Sequence, residues 1–323
     1  IINEDDLLEG IKSGHVGGAA LDVFEVEPPR EQSHELRTHD DVIVTPHQGA
    51  STVDAQIRVA HDVARNMSDI LDGGKYRGVV NAPDFGLINS KGPEIKRYME
   101  LAEAFGAIMS QRLSGQRLSS VHIDLYGSEI NSGDIVSVMK QALLKGALTQ
   151  FTSQSVTLVN ASSIAEALGL AISSKVSKKT PASSGFKNQM RVTFTTNDGA
   201  SASIEGTIIN QKHARITNMD GYRIDCPPGK FMIFFENNDQ PGVLHAVAKA
   251  VAADGINIDT FSLGRGGVSN DGSMGNALGA LVIDKAPSKS LMRALASMDI
   301  ITNVSYADVP MGEEKKEDGK PEI

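Results

Sequence analysis

The sequence is short of cysteine, of basic charge and of long apolar runs, and each shortage removes a class of function. One cysteine, Cys226, in 323 residues excludes an intrachain disulfide and any metal site built on several cysteines. No metal ligand set is expected. A reducing compartment follows, and Cys226, beside Pro227 and Pro228, reads as an inert thiol. Lysine and arginine number 31 against 40 acidic residues, a net charge of −9. Such a surface argues against nucleic acid or an anionic membrane as the main partner. No apolar run approaches the roughly 20 residues of a membrane-spanning helix, and no signal or transit pattern opens the sequence. The glycine-rich G-x-G-x-x-G loop of dinucleotide sites occurs nowhere. The hydrophobic fraction of 40% is nonetheless that of a globular chain with sizeable cores, and the length suits about two or three domains.

Periodicity organises what is there. Asn3 is placed to cap a helix over Asp5–Lys12 that Gly14 stops. Gly18–Phe24 and Val42–Val44 read as buried strands, separated by Pro28, Pro29 and a polar loop over Arg30–Asp41. A long helix over Val53–Leu71 carries Val53, Ile57, Ala60, Ala64, Met67 and Leu71 on one face. Strands between helices in this order suit an α/β parallel sheet. Residues 85–225 read as an α+β unit. It has helices over Glu94–Leu113, Asp134–Leu148 and from Ser162, strands over Val121–Tyr126 and Val156–Val159, and a hairpin about Asn197-Asp198-Gly199. Met99, Phe105 and Met109 fall on a core stripe; Lys175, Lys178 and Lys179 read as a solvated loop. After a linker at Cys226–Gly229, residues 229–308 alternate as βαββαβ, the split-βαβ ferredoxin-like pattern. Residues 309–323 read as a disordered tail. The chain opens Ile1-Ile2-Asn3 without Met, straight into a helix cap, so it is expected to be part of something longer.

Chemistry concentrates in the first segment. Glu27 follows the strand that carries Asp22, and His47 follows the next strand. Loops at the carboxyl ends of parallel strands line the ligand crevice, where a carboxylate and a histidine can form a general acid/base pair. On spacing alone, a solvated Glu27 and a loop His47 are the favoured reading.

The residues themselves carry more than their spacing. Gly18-Ala19-Ala20-Leu21-Asp22-Val23-Phe24-Glu25-Val26-Glu27-Pro28-Pro29, then Val44-Thr45-Pro46-His47-Gln48-Gly49-Ala50-Ser51-Thr52, resembles the end of the Rossmann-type cofactor domain of the D-2-hydroxyacid dehydrogenases. Within that family the likeness is to the long-form phosphoglycerate dehydrogenases. The resemblance implies a cofactor-domain portion over residues 1–80, with NAD as cofactor. It implies that His47 is the acid/base and Glu27 its partner, that Asp22 holds the nicotinamide carboxamide, and that His47, Gln48, Gly49 and Ala50 line that end of NAD. The implied reaction oxidises 3-phosphoglycerate to 3-phosphohydroxypyruvate on the way to L-serine. This stretch alone, lacking the glycine-rich loop and the substrate arginine of the family, is expected to be inactive; Arg30 and Arg37 read as loop charges.

Asn238-Asp239-Gln240-Pro241-Gly242-Val243-Leu244 with Gly255-Ile256-Asn257-Ile258 resembles the ACT domains, regulatory modules that bind amino acids. Asp239, Gly242 and Asn257 are then effector-binding candidates for L-serine, at the face of a homo-oligomer, dimer or tetramer. The reading beside it is that Pro-Gly merely starts a helix and Asn257 merely turns the chain. Glu100–Gly106 and Leu158–Ala161 resemble the intervening regulatory domain of the same dehydrogenases. A cytoplasmic location is expected, with a plastid as the other candidate. The alternative function is a non-catalytic amino-acid-sensing module. Another dehydrogenase of the family, such as a glyoxylate reductase, is disfavoured because those lack the two regulatory units.

Overall fold

The computed structural model describes residues 2–29, 34–71, 79, 92–182, 184–266 and 275–310. The acidic tail expected over 309–323 lies largely outside them, as do the breaks expected at Gly73-Gly74 and Pro83. The chain divides into two compact units, residues 1–78 and 79–323.

The first unit is small. Helix α1, Glu4–Lys12, is capped by Asn3, whose side chain accepts from the Asp6 N–H at 2.9 Å. Strand β1, Ala19–Leu21, pairs in parallel with β2, Val42–Val44, in the register Ala19 to Val42. The strand expected over Gly18–Phe24 is therefore shorter. The polar loop expected over Arg30–Asp41 contains a helix, α2, His34–Thr38. Its single apolar residue, Leu36, is buried; one leucine gives no periodicity to read, and the helix owes its place to that contact. Helix α3, Val53–Leu71, buries none of its residues, and Val53, Ile57, Met67 and Leu71 are exposed.

The second unit is mixed α/β around two sheets. Helices α4, Pro93–Arg112, and α5, Gly133–Leu148, pack against each other. Their crossing is close because each contributes a glycine: a Cβ on Gly106 would strike the Leu143 carbonyl, and one on Gly146 the Glu103 carbonyl. A six-stranded sheet has the order β4-β3-β5-β6-β7-β8. Its strands are β3 Leu118–Tyr126, β4 Ala171–Ser177, β5 Gln189–Thr196, β6 Ser201–Ile209, β7 His213–Met219 and β8 Tyr222–Cys226. Only the β3–β4 pair is parallel.

Two local expectations fail here. Val156–Val159 is not a strand, because the Asn160 side chain accepts from the Thr157 N–H and donates to the Ser155 carbonyl, closing a turn that leads into α6, Ala161–Ala167. Lys175 lies in edge strand β4 rather than in a loop, and that strand is largely exposed, so it lacks an apolar signal. Strands β7 and β8 are short and carry polar residues between their buried ones, so their sequence has no strong strand signal.

Residues 231–308 form β9 Phe231–Asn237, α7 Val243–Ala253, β10 Ile258–Arg265, β11 Ala277–Ile283, α8 Lys289–Ala296 and β12 Ile301–Asp308. The antiparallel sheet order is β10-β11-β9-β12. Alternation along β9 sends Met232 and Phe234 into the core shared with the six-stranded sheet, and Ile233 and Phe235 into a second core beneath α7 and α8. Both faces are buried, which is why Phe231–Phe235 is an unbroken apolar run. No break in packing falls at 226–229. Gln111 on α4 exchanges hydrogen bonds with the Asp308 backbone at 2.9 Å, and Arg112 reaches Asp220 at 2.8 Å while lying over the Phe234 ring. Cys226 ends β8 fully buried, and burial pushes its thiol up to about 12, so it is inert.

Candidate functional site

The parallel pair β1–β2 delivers two loops from neighbouring carboxyl ends. Asp22 leaves β1 and turns its carboxylate to the loop after β2. The Thr45 hydroxyl donates to Oδ1, the Gln48 N–H donates to Oδ1 at 2.7 Å, and the Gly49 N–H donates to Oδ2 at 2.8 Å. These bonds, the Thr45 hydroxyl foremost and then the Gly49 and Gln48 amides, hold the carboxyl of Asp22 below the usual aspartate range. Asp22 thus fastens residues 45–49 in place. A carboxylate has about four lone-pair positions, so one remains for an outside donor.

Inside that fastened loop His47 has φ +52°, a conformation rare for a side chain other than glycine. Its N–H donates to the Thr45 carbonyl at 3.0 Å. Its Nδ1 lies 2.5 Å from Glu27 Oε2. The other oxygen of Glu27 accepts from the Phe24 N–H at 3.3 Å, anchoring the carboxylate to its own loop. Glu27 can only accept, so Nδ1 carries the proton and Nε2 of the neutral ring is the free base. The hydrogen bond to Glu27, then its charge, raises the pKa of His47 above the ordinary histidine value. The His47 side chain is 57% exposed and open to a small molecule. Beyond it, the Ala50 carbonyl accepts from Gln56 Nε2 at 2.7 Å and Thr52 caps the Ala55 N–H at 3.2 Å, which fixes the start of α3.

The first-segment candidates, Asp22, Glu27, His47, Gln48, Gly49 and Ala50, are therefore gathered around one loop. Thr45 was missed; its signal is a hydroxyl two residues before the histidine, facing the strand that carries Asp22.

The second group is not gathered. Sheet register sets Asn237, Ala277 and Arg265 at one end and Phe231, Ile283 and Ile258 at the other. Asp239 follows the first end and Asn257 precedes the second, a strand length of roughly 20 Å away. Asp239 is also engaged: Arg265 Nε donates to its Oδ2 at 2.8 Å, and its side chain is 9% exposed. A cation 26 residues on thus already faces the Asp239 carboxylate. Gly242 has φ +94° at the start of α7, as the turn requires. The Asn257 N–H donates to Asp284 at 3.0 Å.

Comparison with known proteins fits this geometry. Residues 1–49 match the NAD binding domain of the D-isomer specific 2-hydroxyacid dehydrogenases, and residues 94–220 match the D-3-phosphoglycerate dehydrogenase intervening domain. Both matches, and the relatives that follow, make the chain similar in sequence to the D-3-phosphoglycerate dehydrogenases. It is 32% identical over 310 residues to D-3-phosphoglycerate dehydrogenase of Bacillus subtilis, covering 96% of this chain and 56% of that one. It is 33% identical over 280 residues to the Synechocystis protein of the same name, 86% of this chain and 48% of that one. Against the Homo sapiens protein of that name it is 36% identical over 188 residues, 58% and 34%. The chain spans about half the length of the curated relatives it matches. Among the described residues no helix is long and apolar enough to cross a membrane, and no group of His, Cys, Asp and Glu could hold a metal ion.

Proposed function

We propose that these residues serve the NAD-linked oxidation of 3-phosphoglycerate to 3-phosphohydroxypyruvate, a step toward L-serine, in a cytoplasmic homo-oligomer. The observation that carries the reading is the Glu27–His47 pair, held at the carboxyl ends of two parallel strands by the Asp22 fastening. His47 Nε2 takes the proton of the substrate hydroxyl as the alkoxide develops. Glu27 stabilises the imidazolium that results, and in the reverse direction the same nitrogen returns the proton. NAD, when bound, accepts the hydride. The residues fit that cofactor: Asp22 keeps one acceptor position for an amide N–H₂, and the backbone at Gln48, Gly49 and Ala50 is exposed beside it. The test is NADH formation from 3-phosphoglycerate by the protein carrying these residues. Turnover that survives His47→Ala sinks the assignment.

The βαββαβ segment we read as an ACT module. Asp239 and Asn257 lie at opposite ends of its sheet, so an L-serine site using the Gly242 turn and Asn257 together requires two copies of the chain. Its edge strands, β10 and β12, offer pairing surfaces for such a contact. Sedimentation with and without L-serine checks it: a monomer that ignores serine removes both the pairing and the effector.

A further inference from the structure

A cavity of about 470 Å³ lies against the six-stranded sheet, with Pro181 and Phe186 from the preceding loop in its lining. The register places four of its side chains in one cross-strand row: Arg191 opposite Glu205, Glu205 opposite Asn218, and Asn218 opposite Arg223. Neighbouring strands lie roughly 4.8 Å apart, so Glu205 and Arg223 stand about 10 Å apart at the backbone, with Asn218 between them. Asn218 is engaged with its own turn, its Oδ1 accepting from the Gly221 N–H at 3.0 Å.

The charges in that row are unevenly satisfied. Glu205 accepts from Gln189 Nε2 at 2.8 Å and meets Arg191 Nε at 3.5 Å. Arg223 has no acidic partner among the described residues, while Asp225 beside it is engaged with Arg215 at 3.1 Å. Two polar atoms of the lining are buried without partners, Gln189 Oε1 and Thr217 Oγ1. Gln189 is 4% exposed. Its amide nitrogen must face Glu205, which only accepts, so its oxygen is the orphan and calls for a donor. A buried amide oxygen without a donor is costly, and here it faces a cavity.

We propose that this cavity is a binding site for a small zwitterion of the α-amino-acid class. The ammonium is taken by Gln189 Oε1 and the Glu205 carboxylate, and the carboxylate by Arg223 with the Thr217 hydroxyl. An apolar side chain rests against Phe186. A multiply charged anion such as a phosphate ester is disfavoured, because Glu205 lies in the same row and Arg191 is already committed to it. The site lies wholly within the second unit, far in sequence from the Gly242 turn, and does not rest on the reading of the first unit.

The test titrates the full chain with each proteinogenic L-amino acid at millimolar concentration. Calorimetry measures affinity, and amide shifts at Gln189, Glu205 and Thr217 locate the ligand. At least one amino acid is expected to bind there, and its N-acetyl and methyl-ester derivatives are expected not to. Arg223→Met, at an exposed position, should weaken binding about tenfold or more, as loss of a charge-assisted hydrogen bond does. The proposal is overturned if no amino acid shifts these amides, if Arg223→Met leaves the affinity intact, or if inorganic phosphate occupies the cavity in their place.

Discussion

Among the described residues of 4–71 only Ile11 and Leu36 are buried, whereas α4 and α5 bury most of their length against each other and a six-stranded sheet. Yet the acid/base geometry sits in the first region. Its precision comes from hydrogen bonds of defined direction: a carboxylate gripping two amides and a hydroxyl, and a second carboxylate gripping a histidine. The second region is held by apolar burial, which is strong but non-directional. Chemistry at a loop can therefore be fixed without a large local core, provided that charged acceptors collect the loop's donors.

The sharpest way to break this comparison is His47→Ala. With the proposed reaction, kcat should fall about 10²–10⁴-fold with little change in KM, the usual share of a positioned acid/base; steady-state kinetics decides. The counterpart in the second region is Phe105→Ala. Phe105 is fully buried and packs beside Gly206, so about 3–5 kcal/mol of stability should go, read from denaturant unfolding, while the Glu27–His47 contact persists in the His47 NMR signal. A loss under about 1 kcal/mol would mean the core is not what holds this region.

Asp22→Ala should free the Thr45, Gln48 and Gly49 donors and let His47 drift. A misplacement near 1 Å costs about 10²-fold in rate, so kcat should fall less than in His47→Ala, with the thermal midpoint of the second unit unmoved. Protonation probes the pair more gently. The folded pKa of His47 lies above its ordinary 6.5, so the stability it contributes is complete below that value and is lost as pH rises through the raised one. Oxidation needs the neutral ring, so activity should climb across the same window. In Glu27→Gln the His47 titration, followed by NMR, should move back toward 6.5 and the acidic limb of the activity profile should move down with it; an unmoved titration breaks the pairing. The smallest effect belongs to the exposed Arg97–Glu100 pair, 3.1 Å apart on α4. Arg97→Ala should cost about 0.3–0.5 kcal/mol, and a loss several times larger would show that surface charge matters more here than burial.

Most of this architecture was legible because apolar spacing reports burial. The stripes of α4 and α5 are buried as their spacing implies, and the order βαββαβ follows from alternation and turns; α3 keeps the bounds of its stripe while burying none of it. Leu36, Val156–Val159 and β4 were misread because each departs from that relation: a lone anchoring leucine, an apolar run tied into a turn by Asn160, and a strand with little burial.

Sequence by itself determined which residues could do chemistry. Two motifs, each local, named Asp22, Glu27, His47 and the glycine and alanine after it. Only the tertiary structure decided what each one touches. It gave Asp22 to the loop amides, joined Glu27 to His47 across 20 residues, took Asp239 for Arg265 and set Asn257 at the far end of the sheet. The reason is physical. Side-chain type is written position by position, but a hydrogen-bond partner is chosen by strand register and loop path, and those are set by the burial of residues elsewhere in the chain.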